Sequence, residues 1–353
     1  MTLLTNLGLA LPIVQAPMAG TSTPEMAAAV CNAGALGSVS FAATDAAGAA
    51  KMIGAIRAHT DRPFNANLFV HATAAPDPAR EAGWIAALTP LFAHYGAAPP
   101  TALRPIYRSF AEDDAMLAHL LEAHPRVVSF HFGLPAPDRI AALKGVGCIL
   151  LSTATSLAEA RVAKAAGIDA VVAQGWEAGG HRGMFDPALP DDRLGTFTLT
   201  RLLVTQAGLP VIAAGGIMDG AGIAAALRLG AVAAQLGTAF IACPESSADE
   251  GHRAALLSDA AGHTIMTDAI SGRPARCLPN HFTRWGEAHA TLPRPGYPMV
   301  YDAGKALIAA AKAKGEWGYG AQWAGQGAPL ARAMPAAELV ATLARELEAA
   351  QAG

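Results

Sequence analysis

The stretch AVVAQGWEAGGHRG, residues 170–183, places one imidazole, His181, directly after a cluster of glycines, Gly175, Gly179 and Gly180. Imidazole is the side chain whose ordinary pKa lets it give or take a proton near neutral pH. Glycine lets the backbone turn sharply and lets a ligand approach without a Cβ in the way. The apolar first half of the stretch predicts a buried parallel strand, with His181 on the loop at its C-terminal end. In an α/β barrel that end of a strand carries the catalytic groups. Two readings fit His181 at this level: an acid–base group, or a loop histidine bonded to a carbonyl.

Two further stretches have the composition of a phosphate site. One is Ala213-Ala214-Gly215-Gly216-Ile217-Met218-Asp219, with paired glycines before a helix; the other is Gln235-Leu236-Gly237-Thr238. Backbone N–H groups and a helix N-terminus can hold a phosphate without lysine or arginine. Ordinary strand-to-helix turns account for either stretch alone; both at the two expected positions favour a phosphate-bearing cofactor. GxGxxG is absent, so a Rossmann dinucleotide site is not indicated. Gln15-Ala16-Pro17-Met18-Ala19-Gly20 offers a flat shelf for a planar ring, and Asn67 an amide that can both donate and accept. Ser129-Phe130-His131-Phe132-Gly133 brings a second imidazole to a strand end, where core histidine and functional histidine are both open readings.

Strands must position these residues. Short apolar runs at 13–17, 36–40, 64–69, 127–132, 148–154, 170–175, 211–216 and 233–240 alternate with alanine- and leucine-rich segments of helical length. Eight strand–helix units predict a (β/α)8 TIM barrel of the α/β class. The segment after Ser156 has a serine cap, Glu159 three residues on, and Gly167 at its end, and residues 219–230 repeat the pattern. Residues 249–260 are expected to form the eighth barrel helix. Residues 71–108, rich in proline, read as a loop-plus-helix excursion. Residues 265–301, broken by proline and glycine and holding Arg273, Arg276, His281, Trp285 and His289, predict a smaller helical cap over the mouth. The expected division is a barrel over 1–242, a cap or substrate domain over 243–314, and a helical segment over 315–353 that returns to the barrel.

Composition excludes several function classes. With 353 residues, 52% hydrophobic and 15% charged, the chain can bury a large core, as a compact enzyme does. A formal net charge of −3 and the lack of a basic run give no footprint for nucleic acid or an anionic membrane. The first basic residue is Lys51, so the apolar start lacks a signal peptide's positive region, and no stretch reads as a membrane span. Four scattered cysteines show neither metal-ligand spacing nor a disulfide framework. These features predict a cytoplasmic protein with reduced thiols and no bound metal; monomer and homodimer both stay open.

Taken together, PIVQAPMAG, NANLFVH, SFHFGLP, AQGWEAGGHRG, AAGGI, QLGTAF, SGRPAR and YPMVYDAGKAL make the chain resemble, over nearly its whole length, the nitronate monooxygenase family, formerly 2-nitropropane dioxygenases. SFHFGLP and the Tyr297, Tyr301 and Lys305 set resemble its class I members more narrowly. The resemblance implies an FMN-dependent barrel that oxidises alkyl nitronates such as propionate 3-nitronate with O2, giving a carbonyl product and nitrite. It implies FMN held by Met18, Asn67, Gln174, Gly179, Gly216, Gln235, Leu236, Gly237 and Thr238. It implies His181 as the catalytic histidine, with His131, Tyr297, Tyr301 and Lys305 around the substrate. Tyr301 and Lys305, four residues apart, also suit one face of a surface helix. The rival reading is an NAD(P)H-dependent FMN reductase of the same superfamily, either enoyl-acyl-carrier reductase-like or a quinone reductase.

Overall fold

The apolar runs become strands because each is short and buried, and most lead to a side chain that caps the next helix. In the computed structural model, which describes residues 3–352, the barrel strands are Ile13–Gln15, Ser38–Ser40, Asn65–Phe69, Val127–His131, Ile149–Ala154, Ala170–Gln174, Val211–Ala214 and Ala233–Leu236. Residues 1, 2 and 353, at the ends of the expected spans 1–242 and 315–353, lie outside the described residues. Strands two to eight pair in parallel in chain order, and the first pairs with the eighth through Ile13 and Ala234. A parallel bridge between Val14 and Leu36 links the first strand to the second and nearly completes the ring. The expected TIM barrel is therefore the observed architecture.

Helix caps follow the sequence signals. Thr23, Asp45, Asp113, Ser156 and Asp219 each accept a backbone N–H from the residue three positions on. Each cap of this kind is worth about 0.5–2 kcal/mol. Glu159 departs from the simple capping box: its carboxylate takes the Thr155 N–H and, 2.8 Å away, the Phe185 N–H. It thereby ties the fifth strand's exit to the loop that follows His181.

One expectation is corrected. Residues 249–260 do not form the eighth barrel helix; the short helix Glu250–Leu256 packs through Leu256 with Ile241, Leu278, Ala324 and Ala328 beside the mouth. The barrel's eighth helix is the last one, Ala336–Ala352, whose Leu339, Val340, Leu343 and Leu347 share a core with Met26, Val30 and Ile223. Seventeen residues with a continuous apolar stripe fill the gap between the first and seventh barrel helices, which seven residues cannot.

The excursion and the cap share a core of their own. Trp84, Leu88 and Phe92 of the helix Pro78–His94 pack with Phe282, Val300, Ala303 and Leu307, the last three from the helix Met299–Lys312. Chain from both sides of the expected boundary at 242 thus builds the layer over the mouth. Cys31, Cys148, Cys243 and Cys277 are all buried free thiols. Among the described residues no helix is long and apolar enough to cross a membrane, and no cluster is placed to hold a metal.

Candidate active site

His181 sits in a two-residue strand, Gly180–His181, rather than in a free loop. This strand pairs antiparallel with Ala275–Cys277, His181 opposite Ala275, and that strand pairs in turn with Ile265–Thr267. A small sheet contributed by the cap therefore grips the imidazole's backbone above the barrel. The ring Nε2 lies 2.9 Å from Ser271 Oγ. The His181 carbonyl accepts from Gln174 Nε2 at 2.9 Å and faces His131 Nε2 at 3.2 Å.

A carbonyl oxygen can only accept, so His131 carries its proton on Nε2 and its Nδ1 accepts the Thr153 hydroxyl, 3.0 Å away. Both nitrogens of His131 are engaged, and it offers the cavity its carbon edge. Burial, helped by the Arg273 charge, holds its pKa down at about 4. Burial, with His131 and Arg273 adding to it, holds His181 at about 3. Both imidazoles are neutral at pH 7.

An aromatic wall surrounds them. Phe132 adopts a left-handed backbone, φ 75°, a conformation that costs a bulky residue energy and is tolerated where packing enforces it. Its ring lies edge-on to His181 at 5.6 Å and to Tyr297 at 5.5 Å, with the Arg273 guanidinium 4.1 Å from its centroid. Trp323 stands 5.1 Å and Tyr301 6.3 Å from the His181 ring. Lys305 Nζ is 4.9 Å from the Tyr107 ring centre and 5.4 Å from that of Tyr301. Burial raises the Tyr301 phenol to about 12, so it remains a hydrogen-bond donor at neutral pH.

The glycines divide by cause. A Cβ on Gly175 would fall 2.1 Å from Thr196 Oγ1, and one on Gly179 would fall 2.4 Å from the Gly325 nitrogen. These two are glycine because other chain packs against them. Gly215 and Gly216 turn through φ +121° and +69°, at the end of the seventh strand, just before the helix Gly220–Arg228. The N–H groups of Gly216 and Gly237 have no acceptor among the described residues. Two unpaired donors on adjacent strand exits, beside a helix N-terminus, fit a phosphate ester.

All these surfaces meet in one cleft at the barrel mouth. Met18, Asn67, His131, Gln174, Gly179, His181, Gly216, Gln235, Gly237, Thr238 and Tyr301 line it. Leu236 does not: its side chain is in the core, and its carbonyl accepts from the Ala16 N–H. Tyr297 and Lys305 stand one layer back, Tyr297 against Phe132 and Tyr107, Lys305 over the tyrosine rings. The amides of Asn67 and Gln174 are already bonded within the protein, Asn67 to Ser40 and Ser129, Gln174 to His181 and Gly183. Each oxygen keeps one lone pair for a ligand.

Sequence reasoning missed Ser271, Trp323, Tyr107 and Thr153. Ser271 lies within SGRPAR, which carried a signal as a motif but none for the serine itself. Trp323 follows a glycine-rich turn far from the barrel in sequence, and the Cys277–Trp323 bridge and the His252 ring at its carbonyl bring it in.

A barrel with a neutral histidine in its mouth, a glycine corner with unpaired backbone donors and a cap that grips the histidine is an arrangement suited to an enzyme that holds a small ligand at the strand ends. A sequence profile described as "Nitronate monooxygenase" matches residues 2–346. The nitronate monooxygenase of Paraburkholderia phytofirmans is 63% identical over 98% of this chain and 94% of its own. That of Pseudomonas aeruginosa is 54% identical over 97% of each. The solved structure of nitroalkane oxidase from Streptomyces ansochromogenes superposes with a TM-score of 0.91 at 42% identity, covering 99% of both chains. FabK from Thermotoga maritima superposes less closely, with a TM-score of 0.74 at 28% identity over 100% of this chain and 97% of its own. The chain belongs to the nitronate monooxygenase family, a family of flavoproteins. It is an oxidoreductase of nitronate and nitroalkane metabolism.

Proposed function

We propose that this enzyme binds FMN in the barrel mouth and oxidises alkyl nitronates with O2 to a carbonyl product and nitrite. Propionate 3-nitronate is the substrate we would try first. The observation that carries the reading is the neutral His181 ring, held in the cavity between the glycine corner and the Tyr301–Trp323 wall. When bound, FMN would supply the electron transfer to which no side chain here is suited. Gly216, Gly237 and Thr238 would hold its phosphate, with Met18, Asn67, Gln174, Gly179 and Gln235 around the rest.

The protein's own contribution is placement and proton control. Tyr301 donates its hydroxyl toward an anionic substrate, and Lys305 behind it adds positive field that favours a carboxylate-bearing nitronate. Tyr297 braces this wall. His181, neutral, can accept the α-proton of a nitroalkane that arrives un-ionised. The cap and aromatic wall exclude water, which strengthens every charge interaction inside.

The test is a visible spectrum of the purified protein, identification of the released flavin, and O2 uptake with nitrite detection on propionate 3-nitronate. A flavin-loaded protein that consumes no O2 with any nitronate would overturn the proposal. Anaerobic mixing with NADH addresses the reductase reading, for which rapid flavin bleaching is the expected sign. The relatives at 63% and 54% identity that carry the nitronate monooxygenase name weigh against it.

A further inference from the structure

Ser271 is fully buried in the cap, two residues before a buried arginine, and its hydroxyl is the nearest polar group to the ring of His181. Its Oγ lies 2.9 Å from His181 Nε2, 3.1 Å from the Arg273 carbonyl oxygen and 3.4 Å from the Arg273 backbone nitrogen. A serine hydroxyl has one proton to give and two lone pairs that accept. Among the described residues the Arg273 carbonyl has no other donor, and Arg273 is only 4% exposed. Swinging the Ser271 proton onto His181 would orphan that carbonyl, which buried polar groups avoid. The hydroxyl therefore donates to Arg273 and accepts from the imidazole.

From this geometry we infer that Ser271 fixes the tautomer of His181, placing the ring proton on Nε2 and leaving the Nδ1 lone pair to the cavity. This rests on the reading of His181 as the group that meets the substrate. Among the described residues nothing bonds Nδ1, and His181 lines the cleft. At neutral pH the buried ring is uncharged, so one nitrogen holds the only proton.

The 2.9 Å separation is built into the fold. Gly272 turns the chain at φ +89° and donates to Asp268; the Pro274 carbonyl accepts the Arg182 N–H; Ala275 pairs with His181. Ser271 thus sits in the turn just before the strand Ala275–Cys277, whose Ala275 pairs with His181. From the barrel side, His131 and Gln174 hold the His181 carbonyl. The ring is oriented from above by the cap and its backbone from below by the barrel.

The consequence is a base that points at the ligand. With a neutral nitroalkane, the α-proton passes to Nδ1, the C–H electron pair becomes the C=N bond, and a nitro N=O pair moves onto oxygen. The imidazolium so formed keeps its Nε2–H on Ser271. The wrong tautomer would offer a proton where a lone pair is needed. Ser271 is a positioning residue: it acts through His181.

The decisive measurement is the tautomer itself. Long-range proton–nitrogen correlation spectra of ¹⁵N-histidine-labelled holoprotein assign it, with His181 signals identified by their loss in His181→Asn. The expected result is an Nε2–H ring in the wild type, a mixed or Nδ1–H ring in Ser271→Ala, and restoration of Nε2–H in Ser271→Thr. An Nδ1–H ring in the wild type overturns the inference, and so does an unchanged Nε2–H ring in Ser271→Ala. The wild-type spectrum decides even if a variant folds poorly. If the spectra behave as expected while the wild type consumes no O2 with nitronates, the functional reading falls and the positioning role stands.

Discussion

His131 donates its Nε2–H to the main-chain carbonyl of His181 across 3.2 Å, so one histidine of the site holds the other by its backbone. The direction of that bond is fixed, because the carbonyl cannot donate. It gives the two imidazoles different work. His131 is spent on structure at both nitrogens, whereas His181 has one nitrogen bound and one open to the cleft.

Replacing His131 by alanine should therefore act on His181's position rather than on ligand binding. Losing a buried hydrogen-bond partner costs about 1–3 kcal/mol, which thermal unfolding would read as a lower Tm. Turnover should fall about tenfold, the equivalent of 1.36 kcal/mol in the barrier, with flavin content preserved. A variant with wild-type Tm and wild-type kcat would show that the bond orders nothing.

Gly216→Asp should empty the site of flavin while the barrel stays folded. The residue turns through φ +69°, and a Cβ there would lie 3.3 Å from the Glu177 Cβ, so any side chain is strained. A carboxylate adds repulsion against a phosphate ester. Gly216→Ala separates the effects, since it carries the strain without the charge, and should lose less flavin. Equal flavin content in both variants and the wild type, measured by absorbance, would remove this corner from the cofactor site.

Much of this was readable from the chain alone. The eight strands were visible because parallel strands buried on both faces are nearly uniform apolar runs, and Ser156 and Asp219 announced the helices behind them. The glycines at 215 and 216 were visible because only a turn demands two together there. Three things were not readable. The eighth helix was misplaced because residues 249–260 and Ala336–Ala352 have similar composition, and only packing against Met26 and Ile223 chooses between them. Gly175 and Gly179 were legible as glycines but not for their cause, since Thr196 and Gly325 are remote in sequence. Ser271 and Trp323 were silent because an isolated serine or tryptophan has no pattern; the small sheet around His181 brings them in.

Acid should destabilise the fold before its carboxylates are titrated. His71, His131 and His252 are held at about 4 and His181 at about 3, in each case chiefly by burial. The unfolded chain takes up these protons near pH 6.5 and the native state does not, so stability rises with pH across that interval. It should be complete above about pH 6.5 and be lost progressively as pH falls toward 4. Urea unfolding at pH 7 and pH 5 measures this, with a lower midpoint expected at pH 5. Equal midpoints would mean that these rings are already charged in the native protein.

His181→Asn should lower turnover while flavin stays bound, and the size of the loss tells which role His181 plays. Asparagine keeps a polar group of similar size but cannot accept a proton. Where the substrate is a neutral nitroalkane, the α-proton must leave, and losing a positioned base costs about 10²–10⁴-fold in rate. Where the substrate enters as a nitronate, that proton is already gone, and the loss should be smaller, limited to misplacement over the cofactor. The neutral state of the buried ring at pH 7 favours the first role. The comparison is kcat/KM for a nitroalkane and for its nitronate in both proteins, with flavin occupancy checked in each. A wild type inactive on the nitroalkane would confine His181 to orienting the anion. Equal values for wild type and variant on both substrates would take His181 out of the chemistry altogether, and Tyr301, a hydroxyl donor on the cavity wall, would become the residue to replace next.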